Sequence, residues 1–271
     1  MTDPDLTDPD LRADCARCFA LCFVVPAFTR SADFAIDKPA GTPCPNLHTD
    51  FRCGIHTTLR RGGFAGCTVY DCFGAGQHVA QVSFAGRDWR THPELREQMF
   101  AVFPVVRHLH ELLFYLTAAR ALPAAEPVHA DLDTAIAETR ALTDADPATL
   151  RALDVDTHRQ RRNGLLVRAS DLARAGVPQR KDRRGADLIG KDLRTADLRG
   201  ASLRGAYLIG ADLRHTPLAL ADVTGADLRG ANVSGTDLTE VLFLSQAQID
   251  AAQGDPDTRI PAGLTWPTHW R

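Results

Sequence analysis

Residues 186–245 read ADLIG KDLRT ADLRG ASLRG AYLIG ADLRH TPLAL ADVTG ADLRG ANVSG TDLTE VLFLS, twelve five-residue units in one register. The third residue of every unit is apolar, from Leu188, Leu193 and Leu198 through Val223 and Val233 to Leu238 and Phe243. The first is mostly small, as at Ala186, Ala196, Ala201, Ala206, Ala211, Ala221, Ala226 and Ala231. An α-helix needs apolar positions three and four apart, and a half-buried strand needs alternation. A period of five fits neither and predicts a coil whose corners recur every five residues, a solenoid.

The tandem motif A(D/N)LxG resembles the pentapeptide-repeat family. That resemblance implies a right-handed quadrilateral β-helix of about three turns, four units to a turn, with turns about 4.8 Å apart. The central Leu and the small residue then point inward, and glycines such as Gly190, Gly200 and Gly235 relax the corners. Lys191 and Pro217 break the pattern; Lys191 falls at an inward position of the first turn, so that end should be frayed or covered by preceding chain. Stacking by fours aligns Ile189, Ile209 and Arg229 in one outer column and Asp187, Tyr207 and Asp227 in the next. This is a candidate docking face for a protein partner or a second copy.

Outside the repeats, 271 residues with 44% hydrophobic and 24% charged describe an ordinary globular chain. The acidic start MTDPDLTDPDLRAD lacks a basic leader and an apolar core, which argues against secretion and for the cytoplasm. The apolar run from Phe19 to Phe28 is too short to span a bilayer, so no membrane partner is expected. A net charge of −3, and eight acids against six bases within the repeats, argue against a nucleic-acid partner.

All seven cysteines, Cys15, Cys18, Cys22, Cys44, Cys53, Cys67 and Cys72, precede residue 73. In a chain without a secretion signal this clustering favours metal ligation or redox chemistry over structural disulfides. Cys15-x2-Cys18-x3-Cys22, Cys44 between two prolines, Cys53-Gly-Ile-His56 and Cys67-x4-Cys72 follow in order. The order is similar to a family of zinc- or iron-chelating proteins over about residues 15–73, departing from it at the spacing of Cys18 and Cys22, in the longer gap before Cys67 and in lacking an Arg-Pro pair. Seven thiols and His56 make eight candidate metal ligands, enough for two four-coordinate zinc or iron sites or for one iron–sulfur cluster. Cys22, inside FALCFVVPAF, also reads as a small buried hydrophobe. His48 and His78 are weaker candidates.

Thr91-His-Pro-Glu94 reads as a capping box that opens a core helix, Leu95 to about Leu122, with Pro104 kinking or dividing it. His108, His110 and Glu111 read as its solvated face. Further helix is expected around 128–141, 148–153 and 165–174. The arginines between Arg159 and Arg184 lack aromatic interleaving and read as a solvated linker or cap rather than a phosphate site. Ser245-x-x-Gln248 should cap a short helix, and the tail with Trp266 and Trp270 should fold back as a cover.

The division expected is therefore a cysteine-rich metal-binding region (1–90), a helical region (91–180) and the repeat β-helix with its cap (181–271). The function expected is a metal-binding scaffold or interaction module. A thiol or iron–sulfur redox enzyme and a gyrase-protecting DNA mimic are the alternatives. No catalytic residues are identified, because no nucleophile, base and orienting acid stand out together.

Overall fold

A computed structural model describes residues 9–270; the acidic start at residues 1–8 lies outside the described residues. Regular secondary structure is helical: α1 (Leu21–Val24), α2 (Ala65–Thr68), α3 (Ala75–His78), α4 (Arg96–Arg120), α5 (His129–Thr143), α6 (Pro147–Ala152), α7 (Val155–Arg174) and α8 (Gln246–Ala251). The chain divides into two compact units. One holds Ala118–His129 and the chain from Leu166 onward, and the other holds the described residues up to Thr117 together with Ala130–Leu165.

The expected right-handed quadrilateral β-helix is corrected by the structure: among the described residues there is no β-strand or sheet. The five-residue spacing explains why. Each unit turns on its fourth and fifth residues, so only its second residue forms a bridge with the unit twenty residues on, as in Asp187–Tyr207, Tyr207–Asp227 and Asp192–Asp212. Isolated parallel bridges of this kind cannot lengthen into strands. They are flanked by backbone hydrogen bonds, Leu188 N to Tyr207 O and Tyr207 N to Ala186 O, both at 2.9 Å.

What results is a stack of turns around an apolar interior. Leu203, Leu208, Leu213, Leu218, Val223 and Val233 are buried, with Ala201, Ala206, Ala211, Ala221 and Ala231 filling the space between them. Packing is weakest at the start, where Leu188 and Leu193 are only partly buried and Lys191 is exposed. Pro217 is tolerated because it forfeits only a donor; its carbonyl still accepts from Leu198 N at 3.1 Å. The fifth residue of most units is left-handed, which suits glycine but is imposed on His215 and Leu220 at φ 54° and 58°.

At the far end, Ser245 and Gln248 form the expected capping box at the start of α8. The Gln248 amide also donates to Val223 O and Ala226 O at 2.8 and 2.9 Å, satisfying carbonyls at that end of the stack. Trp270 is buried against the same interior and donates to Ala252 O, whereas Trp266 is exposed.

The other unit is organised by α4, whose Met99, Val102, Phe103, Val106 and Leu109 recur three and four apart and are buried with Leu21, Val24, Val79, Phe84 and Leu150. This helix runs unbroken through Pro104. Thr91 does not cap it; Asp88 accepts from Thr91 N and Arg90 N instead, and a 3-10 turn at Pro93–Leu95 leads into α4. Pro93–Arg120 is long and apolar enough to cross a membrane by composition, but 56% of its most apolar window is buried within the fold, as in the core helix of a soluble protein. Helix α7 starts ten residues before the expected 165.

Candidate thiol centre

Two short loops with the same backbone present the central cysteines. After Cys18, Phe19 and Ala20 are left-handed (φ 50° and 55°) before α1; after Cys72, Phe73 and Gly74 are left-handed (φ 49° and 76°) before α3. Three of these four residues are not glycine, and such strained positions persist only where surrounding structure holds them. The loops turn backbone N–H groups onto sulfur: that of Ala20 onto Cys18, and those of Gly74 and Gly76 onto Cys72. The Ile55 N–H does the same for Cys53.

Cys15, Cys18, Cys22 and Cys72 line one small cavity of about 10 Å³ together with Gly76 and Gln77. Gly76 is needed there, since a Cβ on it would stand 2.8 Å from Cys18 Cβ and 3.9 Å from Cys72 Sγ. Gln77 ties the preceding chain down by donating to Arg12 O and accepting from Asp14 N. Cys15 is exposed, Cys18 and Cys72 are buried and Cys22 is half-buried; all seven cysteines are free thiols.

The electrostatics are uneven. A hydrogen bond from Cys18 lowers the Cys15 thiol to about 7, against burial and the charge of Asp14. The same bond, with burial, pushes Cys18 far up. Burial raises Cys22 strongly, with Cys72, Cys15 and Cys67 adding to it, and burial raises Cys72 against the pull of its two amide hydrogen bonds.

The remaining sulfurs form a second neighbourhood. Cys67, in α2, is raised to about 11 by burial and by the nearby Cys44 and Cys53. Cys44 is buried, its amide held by Phe23 O. Close by is Lys38, 3% exposed, whose ammonium donates to the carbonyls of Val24, Pro39 and Thr42.

Among the described residues, no three His, Cys, Asp or Glu side chains converge as a ready-made metal shell. His56 is exposed in a 3-10 turn, and His48 lies against Gly54. His78 bonds Thr143 O at 2.9 Å. His110, expected on a solvated face, is instead 2% exposed and bonds Phe73 O at 2.7 Å, bracing the Cys72 loop from α4. The doubled left-handed residues after Cys18 and Cys72 were missed in the sequence; the recurring Cys-Phe-(Ala/Gly) is the signal that marks them.

Comparison with known proteins matches the pentapeptide-repeat model, in eight copies, to residues 184–214 and 206–243. A protein of Bacillus subtilis (strain 168), "Uncharacterized protein YybG", is 49% identical over 266 residues, covering 97% of this chain and 95% of that protein.

Proposed function

Because the chain belongs to one family with YybG and carries pentapeptide repeats, we propose that it is a repeat-protein scaffold or interaction module that holds a zinc or iron ion on thiolates of its cysteine-rich part. The repeats supply the scaffold: stacked turns offer a regular outer surface on which the exposed Ile189 and Tyr207 offer apolar contact to a protein partner or a second copy.

The observation that carries the metal is the gathering of Cys15, Cys18, Cys22 and Cys72 around one cavity whose wall is a glycine on which a Cβ would crowd Cys18. The donor set fits, since four soft sulfurs suit zinc or iron. Amide groups aimed at Cys18 and Cys72 favour the thiolate form that a ligand must adopt, against the burial that raises both thiols and that a bound cation would offset. Bound there, zinc would cross-link the region and an iron–sulfur cluster would add electron transfer. Cys44, Cys53 and Cys67 are the next donors, with His56 the outermost.

One arrangement favours a second reading. Exposed Cys15 beside buried Cys18 is the geometry of a dithiol pair. Cys15 thiolate would attack a partner's disulfide and release one partner sulfur; Cys18, losing its proton, would then displace the other, leaving a Cys15–Cys18 disulfide and a reduced partner.

One experiment separates the readings. Anaerobically purified full-length protein is expected to carry about one equivalent of zinc or iron and to resist alkylation of its cysteines until a chelator is added. Metal below about a tenth of an equivalent, with Cys15 alkylated first, would overturn the metal in favour of the dithiol.

A further inference from the structure

The aspartate at the second position of a unit normally clamps the arginine two residues on. Asp192 holds Arg194 at 2.6 and 2.9 Å, and Asp197 holds Arg199 at 2.7 and 2.9 Å. Among the units with arginine at the fourth position one lacks the aspartate: in Ala201-Ser202-Leu203-Arg204-Gly205 a serine occupies that place. Arg204, lacking an aspartate in its own unit, reaches into the next turn to Asp222 Oδ2 at 3.0 Å and Thr224 Oγ1 at 2.9 Å. Ser202, bridged to Asp182 on one side and Asp222 on the other, is 4% exposed, and its Oγ has no hydrogen-bond partner. A buried hydroxyl without a partner costs stability; Ser83 Oγ and Thr117 Oγ1 are in the same condition.

Ser202 lines a cavity of about 190 Å³ between the end of α7, the linker after it and the first turns of the repeats, all within one unit of the chain. Five cations line it, Arg174, Arg180, Lys181, Arg184 and Arg204, against the carboxylates of Asp171 and Asp182. Counting Asp222, which already holds Arg204, two positive charges remain in excess. Arg174 is buried and fixed, its guanidinium spread over Ser170, Gly200 O and Asp171. Arg184 is clamped by Asp182 at 2.6 Å. Arg180 and Lys181 are exposed at the mouth, and the Arg180 guanidinium makes a long 3.3 Å contact to Asp171 O.

We propose that this cavity binds a small phosphoryl oxyanion, with Ser202 Oγ donating from within and Arg180 and Lys181 closing over it from solvent. A tetrahedral dianion matches cationic donors arriving from several directions plus a hydroxyl, whereas a carboxylate is satisfied by one arginine fork. The volume is below the roughly 300–1,000 Å³ of sites for larger organic ligands, so the ligand is an ion or a short phosphomonoester rather than a nucleotide.

Titration calorimetry of the full chain with inorganic phosphate, at ionic strength held constant with chloride, tests this. Saturable one-to-one binding is expected. Tighter binding of glycerol 1-phosphate would show that the phosphoryl group arrives on an organic stem; tighter binding of phosphate would identify the free ion. Arg180→Glu with Lys181→Glu is expected to weaken phosphate at least about tenfold while leaving the phosphate-free melting temperature unchanged, since both side chains are exposed. Ser202→Ala is expected to weaken phosphate about tenfold and to leave the phosphate-free chain at least as stable, because it removes the orphaned hydroxyl. Absence of saturable binding by the native chain at millimolar phosphate, binding that follows ionic strength alone, or native affinity in both variants would overturn the proposal.

Discussion

Two aspartates in equivalent positions of the repeat should differ sharply when replaced by alanine. Asp222 is fully buried and accepts four hydrogen bonds: from Ser170 Oγ at 2.6 Å, Arg204 at 3.0 Å, Thr224 N at 2.9 Å and Thr224 Oγ1 at 2.6 Å. Asp197 instead clamps Arg199 of its own unit, and both side chains are more than half exposed. Removing Asp222 takes the carboxylate from an arginine whose side chain is 13% exposed. Breaking one side of a buried ion pair costs about 3–5 kcal/mol. At roughly 2–4 °C per kcal/mol for a chain of this size, the melting temperature of Asp222→Ala should fall by about 6 to 20 °C. Asp197→Ala should leave it unmoved within error, because water replaces an exposed partner. Circular dichroism melts of the two variants under one buffer suffice. Equal shifts would refute the claim that burial sets the worth of these carboxylates.

Gly76→Ala should cost about 1–3 kcal/mol by overpacking and reduce the metal carried, since the new Cβ meets Cys18; native metal content and stability would contradict the thiol cavity. Its control is Gly164→Ala inside α7, where no atom lies within 4 Å of the new Cβ, expected to stabilise by about 0.5–1 kcal/mol in urea unfolding. Acid should loosen the repeats at a defined pH. Asp212 is held below its ordinary 3.8 chiefly by hydrogen bonds from Arg214, and Asp227 by those from Arg229 against its burial; both side chains are only a quarter exposed. A lowered carboxylate stabilises the fold above its unfolded value and stops doing so as pH falls through its folded value, so the melting temperature should be flat above about pH 5 and drop between about pH 4 and 2. A melting temperature unchanged down to pH 2 would show that the clamps do not contribute.

The repeats were legible because their signal is local: a five-residue spacing of Leu and Ala states which side chains are buried before any partner is known. The period suggests strands because a stacked coil brings extended backbone together. Nothing in the spacing says that each unit contributes one bridged residue, too few for a strand. The cysteines were legible as a cluster but not as a geometry. Residues fifty apart, Cys22 and Cys72, meet only because α1 and the Cys72 loop both pack on α4, whose own apolar period names no partner.

The breaks in the repeat carry information that its regular units cannot. A regular unit needs only its neighbours in the stack, so its second residue is free to be aspartate and to hold its own arginine. Where another element packs against the stack, that self-sufficiency is interrupted. Ser170 and Arg174 of α7 reach Asp222 and Gly200, and Val177 sits where a Cβ on Gly200 would fall. This is the place where serine replaces aspartate at Ser202 and where Arg204 changes turns to find its carboxylate. The arginines before the repeats, read as a solvated linker, look uniform in sequence because charge says nothing about burial. Arg174 is 6% exposed while Arg180 is open to solvent. In a repeat of this kind a unit that departs from the consensus where another element packs against the stack is thus a place to look for contact and for ligand, as at Ser202.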